Sequence, residues 1–478
     1  MFAHIAARYD TRGATLPSHF LTNFWNDWVT LLPRGSPITS LDGCDFSGLL
    51  LAAKKQAQRK KERKNERTTD THRPVVVAIV DGEPQPVCGG GTVEAGSVFM
   101  GHGGMHPMAG RIKHRVRATD VTLNLGEGAK VPPGAWAAIV HDPFVDWLAC
   151  WRDPLLGVVK YVRLSPAAES EQSTTKAKFD RARAFHAALS GIVARNVQPD
   201  LVSVDDPKRR QLATCFWLLV RTALRVGTHS HTNVVGLTTL TTGHVRLLNN
   251  GNLLSFDFLG KDNVLFRRSV VIDNPDVLRN LRELLRPARA PAHPVFRLVS
   301  STDLNEYLGR MMRGLTAKDV RTAMASAEFE AAIERMYGRR RQGPWVDGPN
   351  WAALALLVAN IRVAFLCNHR TLTRDIDRYA DSTLAEEIDE LEASVVHRVS
   401  DPKVLTRRAR TMVRQGHLAL GTSRANYIDP RITVSFAARA GMPAGLALPG
   451  ASLSAKFAWA ADEGHEFRWR HTQASGRS

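Results

Sequence analysis

The spacing of hydrophobic positions changes several times along the chain, and each change marks a different kind of element. Phe20, Phe24, Trp28 and Leu31 recur at three- and four-residue steps, which is one face of a helix. Asp45 stands at a cap position before a second, long helix that reaches about residue 70. Between residues 74 and 164 the pattern shortens to strand runs at 75–80, 137–140, 144–151 and 157–163, with Gly and Pro between them. A polar helical stretch over 165–195 reads as a connector. An apolar helix over 209–225 follows, then a strand series over 234–271, then helices again to Cys367.

Residues 373–418 form a separate pattern. A first arm carries Asp375, Asp377, Asp381, Glu386, Glu387, Asp389, Glu390 and Glu392, with Leu384, Ile388, Leu391 and Val395 in a 4-3-4 apolar rhythm. A second arm carries Lys403, Arg407, Arg408, Arg410 and Arg414, and Asp401-Pro402 marks the turn between them. An acidic arm folding back on a basic one predicts an antiparallel helical hairpin. The remainder, from Thr422, reads as a small terminal unit with a disordered tail after Arg470. The most apolar stretch, 351–367, is short for a membrane span and contains Asn360 and Arg362, so it is expected to be a buried helix.

Charge narrows the function. Lys and Arg number 64 against 46 Asp and Glu, a net charge of +18 on 478 residues. Such an excess calls for a polyanionic partner, nucleic acid before anionic membrane. At 44% hydrophobic and 23% charged residues, the composition is that of a globular protein with room for roughly three packed units. The helix after Asp45 turns almost one-signed. Between residues 54 and 67 eight Lys or Arg, among them Lys54, Lys55, Arg59, Lys60 and Lys61, face only Glu62 and Glu66. A phosphate-facing helix is expected, able to double as a nuclear-import signal. Cys44, Cys88, Cys150, Cys215 and Cys367 are an odd, scattered set with no CxxC pair. They point to a reducing compartment, and no secretory leader is evident.

No phosphate-cradling glycine motif, dinucleotide fingerprint or paired metal-ligand spacing is present, so neither a cofactor nor a metal is expected. What remains is a series of polar residues in sharply defined settings. Arg225 ends the apolar helix, in Ala-Leu-Arg-Val-Gly. Lys261 lies in Phe-Leu-Gly-Lys-Asp-Asn at a turn between strands. Lys318 and Arg321 lie in Leu-Thr-Ala-Lys-Asp-Val-Arg-Thr at a helix start, His369 follows Phe-Leu-Cys-Asn, and Tyr427 sits in Arg-Ala-Asn-Tyr-Ile-Asp-Pro-Arg. Each has an ordinary explanation by itself: a snorkelling Arg, a surface Lys, a structural His, a core Tyr.

Taken together and in this order, they resemble the eukaryotic-type type IB DNA topoisomerases, over about residues 20–468. Cys-Asp-Phe before the basic helix, Val-Phe-Met-Gly-His-Gly-Gly-Met-His-Pro at 98–107 with the basic run 111–115, Tyr-Ile-Asp-Pro-Arg-Ile-Thr-Val at 427–434 and Lys-Phe-Ala-Trp-Ala at 456–460 carry the likeness. The resemblance implies that Arg225, Lys261, Arg321 and His369 are the catalytic set, with Lys261 as general acid, and that Tyr427 is the nucleophile. It places His106, Arg111, Lys113, Lys318, Asp262 and Asn426 on DNA beside the basic helix. It implies a mainly helical α+β fold: a bilobed DNA clamp with a mixed α/β cap (1–165), a connector helix (166–200), a catalytic core of the tyrosine recombinase/topoisomerase IB type (201–369), a helical hairpin linker (370–419) and a C-terminal tyrosine domain (420–478). The expected protein is a monomer on double-stranded DNA, in the nucleus or at a site of viral genome replication, with no membrane partner.

The chemistry of these residue types agrees with that assignment. Tyrosine can store phosphodiester energy by transesterification, and planar guanidinium and imidazole donors suit the charge that builds on the phosphoryl oxygens. A tyrosine site-specific recombinase shares the Arg, Lys, His and Tyr logic. However, its second box usually opens with His where this chain has Lys318-x-x-Arg321. A catalytically dead DNA clamp would have lost one of the five residues, and none is missing. His102 and Met108 depart from the family, standing where it carries an Arg near the cleaved base pair and a clamp Lys. The hairpin and the 227–233 loop are shorter than usual, and the chain begins within what reads as the first cap helix.

Overall fold

The computed structural model describes residues 16–41, 43–66, 76–101, 106–227, 235–248, 252–261, 264–286, 292–337, 349–371, 381–463, 467 and 469. These fall into two compact units, residues 1–171 and 172–478. Expectations for His102, Asp262, Asp375 and Asp377 lie outside the described residues, as do the side chains of Lys60 and Lys61.

The first unit opens with α1 (Ser18–Val29), which buries Phe20 and Phe24. Asp27, seven residues after Phe20 and so on the same face, accepts from the Ile112 N–H at 2.7 Å and from Arg111 Nε at 2.8 Å, tying the helix to the 106–113 segment. The basic helix is α2 (Ser47–Glu66), and the Asp45 carboxylate accepts the Ser47 N–H at its start. Strands β1 (Val77–Val80) and β2 (Glu83–Pro86) form a hairpin, while β3 (Ser97–Val98) and β4 (Ile112–Lys113) form a short pair. Strands β5 (Val121–Asn124), β6 (Ala138–Val140), β7 (Trp147–Arg152) and β8 (Val159–Arg163) make a sheet of order β6-β5-β7-β8, parallel only between β5 and β6. Its core is small: Val116, Val121, Leu123, Ala149 and Trp151. β2 to β5, each of two to four residues and without a continuous apolar run such as the one that marks β1, are not evident from sequence.

A ring of four charges secures this unit. Lys113 Nζ lies 2.7 Å from both Glu94 and Asp153, and Lys160 Nζ lies 2.6 Å and 2.9 Å from the same pair. Burial by itself would raise the Asp153 carboxyl. The two ammonium donors override that and hold it well below the usual carboxylate range.

The second unit begins with α3 (Glu169–Ile192), which runs through a π turn (Val193–Val197) into α4 (Gln198–Leu201). The apolar helix α5 (Pro207–Thr222) is capped by Asp206. It ends earlier than the sequence suggests, because Ala223 turns into the left-handed region at φ 49°. Arg225 therefore lies in the loop beyond the helix rather than at its end. A three-stranded antiparallel sheet follows, β9 (Val245–Leu248), β10 (Leu253–Leu259) and β11 (Leu265–Val271), in the order β11-β10-β9. Next come α6 (Pro275–Leu285), α7 (Ser301–Met311), α8 (Ala317–Tyr337) and α9 (Pro349–Leu366).

Helix α9 is long and apolar enough to cross a membrane by length and composition alone, yet 56% of it is buried within this unit, Asn360 included. Two helices, α10 (Asp381–His397) and α11 (Pro402–Gln415), form an antiparallel pair with Asp401 capping the second. Leu384, Ile388, Leu391 and Val395 are all buried. Glu390 of the acidic arm pairs with Arg408 of the basic arm, while Asp389 and Glu392 pair with Arg362 of α9, and Glu392 also with Arg335 of α8. The chain closes with α12 (Leu420–Asn426), α13 (Pro430–Arg439), α14 (Ala444–Ala447), α15 (Ala451–Lys456) and α16 (Trp459–Glu463).

Candidate active site

Four turns in the second unit place the polar residues. The first is the strained corner at Ala223. Its carbonyl, freed from the helix ladder, accepts from Arg321 Nε at 2.6 Å. Beyond it, Gly227 and Gly236 cross so closely that a Cβ on Gly236 would stand 2.3 Å from the Gly227 nitrogen. The crossing lets the Arg225 and Val226 carbonyls accept from the Leu237 and Thr238 N–H groups, each at 2.7 Å, which fixes the backbone of Arg225.

The second turn starts α8. Thr316 and Asp319 satisfy each other: the Asp319 carboxylate accepts from the Thr316 N–H at 2.9 Å and from its hydroxyl at 2.7 Å. This first turn leaves Lys318 exposed and directs Arg321 inward, where it is only 4% exposed. Arg181 of α3 holds Asp319 in place at 3.1 Å.

The third turn ends α9. Asn368 takes a left-handed φ of 51°, and the His369 N–H reaches back to the Ala364 carbonyl at 2.8 Å. Arg268 of β11 donates to the Phe365 and Leu366 carbonyls, so the hairpin bearing Lys261 is stitched to the helix end bearing His369. The fourth is the C-terminus of α12, where Tyr427 caps the helix and its N–H donates to the Ser423 carbonyl at 2.9 Å.

These turns bring three of the five predicted catalytic residues into contact. Arg321 Nη1 donates to the Tyr427 hydroxyl at 2.7 Å, and the guanidinium carbon lies 4.7 Å from the tyrosine ring centroid. The His369 ring lies 4.9 Å from the Tyr427 ring. Burial, then the charges of Arg321 and Arg225, push the His369 pKa down to about 3, so the imidazole is neutral at physiological pH. Arg225, Lys261 and His369 line a pocket of about 210 Å³, large enough for several waters at roughly 30 Å³ each. Tyr427 is 6% exposed and Arg321 lies behind it, with His369 common to both groups. Lys261 is exposed at the tip after β10. Among the described residues no group of three His, Cys, Asp or Glu stands ready to hold a metal ion.

The remaining predicted DNA contacts vary in availability. Lys54, Lys55, Arg59 and His106 are exposed, and Arg111 is half-exposed while paired to Asp27. Lys113 is buried and committed to Asp153 and Glu94, so its charge is spent inside the fold. Asn426 donates its side-chain amide back to the Thr422 carbonyl at 3.1 Å.

Sequence reasoning missed several supports. Lys178 of α3 donates to the Asn426 carbonyl at 2.8 Å, and Lys456 of α15 to the Ala425 carbonyl at 2.6 Å. Together they cap the helix that presents the tyrosine. Burial, then Lys456 and Lys318, lowers the Lys178 pKa to about 7. Ser326 donates to the Tyr427 carbonyl and accepts from the Asp429 N–H, both at 3.0 Å. Ser423 contacts His369 Nδ1 at 2.8 Å. Its position four residues before the tyrosine, on the same helix face, is the one signal that could have marked it.

Three family models match in succession: the DNA binding fragment of eukaryotic DNA topoisomerase I over residues 2–164, its catalytic core over 167–400, and the C-terminal topoisomerase domain over 404–469. The chain is 31% identical to DNA topoisomerase 1 beta of Arabidopsis thaliana, over 94% of this chain and 53% of that protein. It is 32% identical to DNA topoisomerase 1 of Candidozyma auris, over 81% and 52%. Against human mitochondrial DNA topoisomerase I the identity is 28%, over 94% and 82%. The chain thus spans about half the length of the plant and yeast relatives. With matching regions covering nearly every residue in family order, the chain belongs to the eukaryotic DNA topoisomerase I family.

Proposed function

We propose that this chain is a type IB DNA topoisomerase, relaxing positive and negative supercoils through a transient 3′-phosphotyrosyl linkage without ATP or a metal ion. The observation that carries the reading is the Arg321–Tyr427 contact beside a neutral imidazole, next to a pocket lined by Arg225 and Lys261. The Tyr427 hydroxyl gives its proton to water as its oxygen attacks phosphorus, the P–O bond to the 5′-oxygen breaks, and the released 5′-hydroxyl later reverses the step. Arg225, Arg321 and His369 donate to the non-bridging oxygens, where charge accumulates. Lys261, at the hairpin tip, protonates the departing 5′-oxygen, a role typically worth ~10²–10⁴ in rate.

The first unit supplies the cap of a bilobed clamp on duplex DNA, with α2 and its exposed Lys54, Lys55 and Arg59 along the backbone. Lys113 serves that surface by holding its shape. Residues 166–200 act as connector, 201–369 as core, 370–419 as linker and 420–478 as the tyrosine domain. The enzyme acts as a monomer on DNA, in the nucleus. Recognition through phosphates makes binding steeply salt-dependent and weakly sequence-selective. The test is relaxation of a supercoiled plasmid in EDTA without ATP; a chain that binds the plasmid but leaves its linking number unchanged would refute the proposal.

A further inference from the structure

His369 has two ring nitrogens with different surroundings. Nδ1 lies 2.8 Å from the Ser423 hydroxyl, whereas Nε2 is buried with no hydrogen-bond partner among the described residues. Ser423 is fully buried, and its hydroxyl has Nδ1 as its one partner among those residues. That isolation decides the direction of the bond. If Nδ1 carried the proton and donated to Ser423, the serine hydrogen would be left buried with no acceptor, and Nε2 would turn a lone pair toward the pocket. If Ser423 donates to Nδ1, its hydrogen is satisfied and Nε2 carries the ring proton. The unmatched group is then a single donor beside the pocket, the one arrangement that an anionic oxygen completes.

We infer that Ser423 is a positioning residue for the reaction: it donates to Nδ1 of His369 and so holds the imidazole as the neutral Nε2–H tautomer, aimed as a donor at a phosphoryl oxygen. This deepens the reading proposed above and rests on it. It also separates His369 from any role as base for Tyr427, because the nitrogen free to act already bears its proton. The same serine accepts the Tyr427 N–H at 2.9 Å and the Ile428 N–H at 3.1 Å through its carbonyl. The His369 carbonyl in turn accepts the Ala419 N–H at 2.7 Å, at the start of α12. Donor and nucleophile are thus set by one short helix.

The direct experiment is ¹⁵N NMR of the full chain with histidine-selective labelling, the His369 signals being identified by their loss in His369→Asn. The tautomer of a neutral imidazole is legible in its two nitrogen shifts without any activity measurement. The expected result is an Nε2-protonated neutral ring from about pH 8 down to about pH 5. Ser423→Ala should give mixed tautomers and slow single-turnover adduct formation about fivefold, one neutral hydrogen bond's worth, with DNA affinity unchanged. Ser423→Thr, which keeps the hydroxyl, should restore both. A proton on Nδ1 in the wild type, an imidazolium at neutral pH, or a Ser423→Ala protein with unchanged tautomer and rate would each overturn the inference. Absence of any covalent adduct in the wild type would instead remove the topoisomerase reading and leave the tautomer result standing.

Discussion

The Arg321 guanidinium holds the Ala223 carbonyl at 2.6 Å through Nε and the Tyr427 hydroxyl at 2.7 Å through Nη1, with a longer third contact from Nη2 to the Cys367 carbonyl at 3.5 Å. The first contact ends in a left-handed alanine and the second in the proposed nucleophile, so one planar fork relates the corner after α5 to the end of α12. A lysine could keep the charge but could not span both oxygens in fixed geometry. Arg321→Lys should therefore bind DNA nearly as well as wild type yet form the covalent adduct ~10²-fold more slowly or worse, the scale for losing a preorganised donor at a reacting oxygen. Single-turnover cleavage at saturating enzyme, set beside a binding isotherm, separates the two effects. Wild-type rates in this variant would show that charge alone suffices.

Lys261 has a different task, and a different substitution exposes it. Lys261→Ala should lose cleavage of ordinary DNA but regain it on a strand whose leaving 5′-oxygen is replaced by sulfur, since a thiolate departs without a proton. If the sulfur substrate is cleaved no faster than the oxygen one by Lys261→Ala, the lysine acts through its charge instead of its proton.

Just past Tyr427, Asp429 and Arg431 form a buried pair, with Oδ2 and Nη2 2.7 Å apart. Asp429 also accepts the Arg431 N–H at 2.9 Å, capping α13. Asp180 and Glu463 reach the same guanidinium at 2.7 Å and 3.5 Å. Asp429→Asn removes the buried charge that faces Arg431, and such single removals typically cost about 3–5 kcal/mol, with the lower end expected here because Asp180 remains. Urea denaturation measures it; a loss of less than about 1 kcal/mol would mean the pair is dispensable.

Acid stability follows from His369. In the unfolded chain its ordinary value is 6.5, and in the fold it is about 3. Above the unfolded value both states are neutral and the residue contributes nothing to pH dependence. As pH falls from about 6.5 toward about 3, the unfolded chain takes up a proton that the folded one refuses, and stability is lost. By pH 5 the loss from this residue is about 2 kcal/mol at 1.36 kcal/mol per pKa unit. The drop between neutral pH and pH 5 should be smaller in His369→Asn by that amount. Equal drops would show that the imidazole protonates freely in the folded protein.

Much of this arrangement was legible because it depends on local rules. The Asp401-Pro402 start of α11 follows from capping chemistry, and the helix face of Leu384, Ile388, Leu391 and Val395 follows from spacing. The proposed catalytic residues stand out only as an ordered set of motifs resembling a family, since each alone is ordinary. What escaped is long-range or strained. Nothing in Ala-Leu-Arg announces that Ala223 will break the helix in a left-handed turn, because alanine is the residue least expected to do so. Lys178 and Lys456 reach the end of α12 from more than two hundred and about thirty residues away, respectively, with no periodic signature. The acidic arm also pairs with Arg335 and Arg362 of neighbouring helices, which sequence gives no reason to place beside it.

The central claim is that Tyr427 exchanges a DNA phosphodiester for a phosphotyrosine. Denaturant trapping of the reaction with an end-labelled suicide substrate, followed by peptide mapping of the adduct, measures it directly. The account predicts one labelled peptide containing Tyr427, joined to the 3′-phosphate, and no adduct from Tyr427→Phe despite normal DNA binding. An adduct on another residue, or a linkage to the 5′-phosphate, would contradict it.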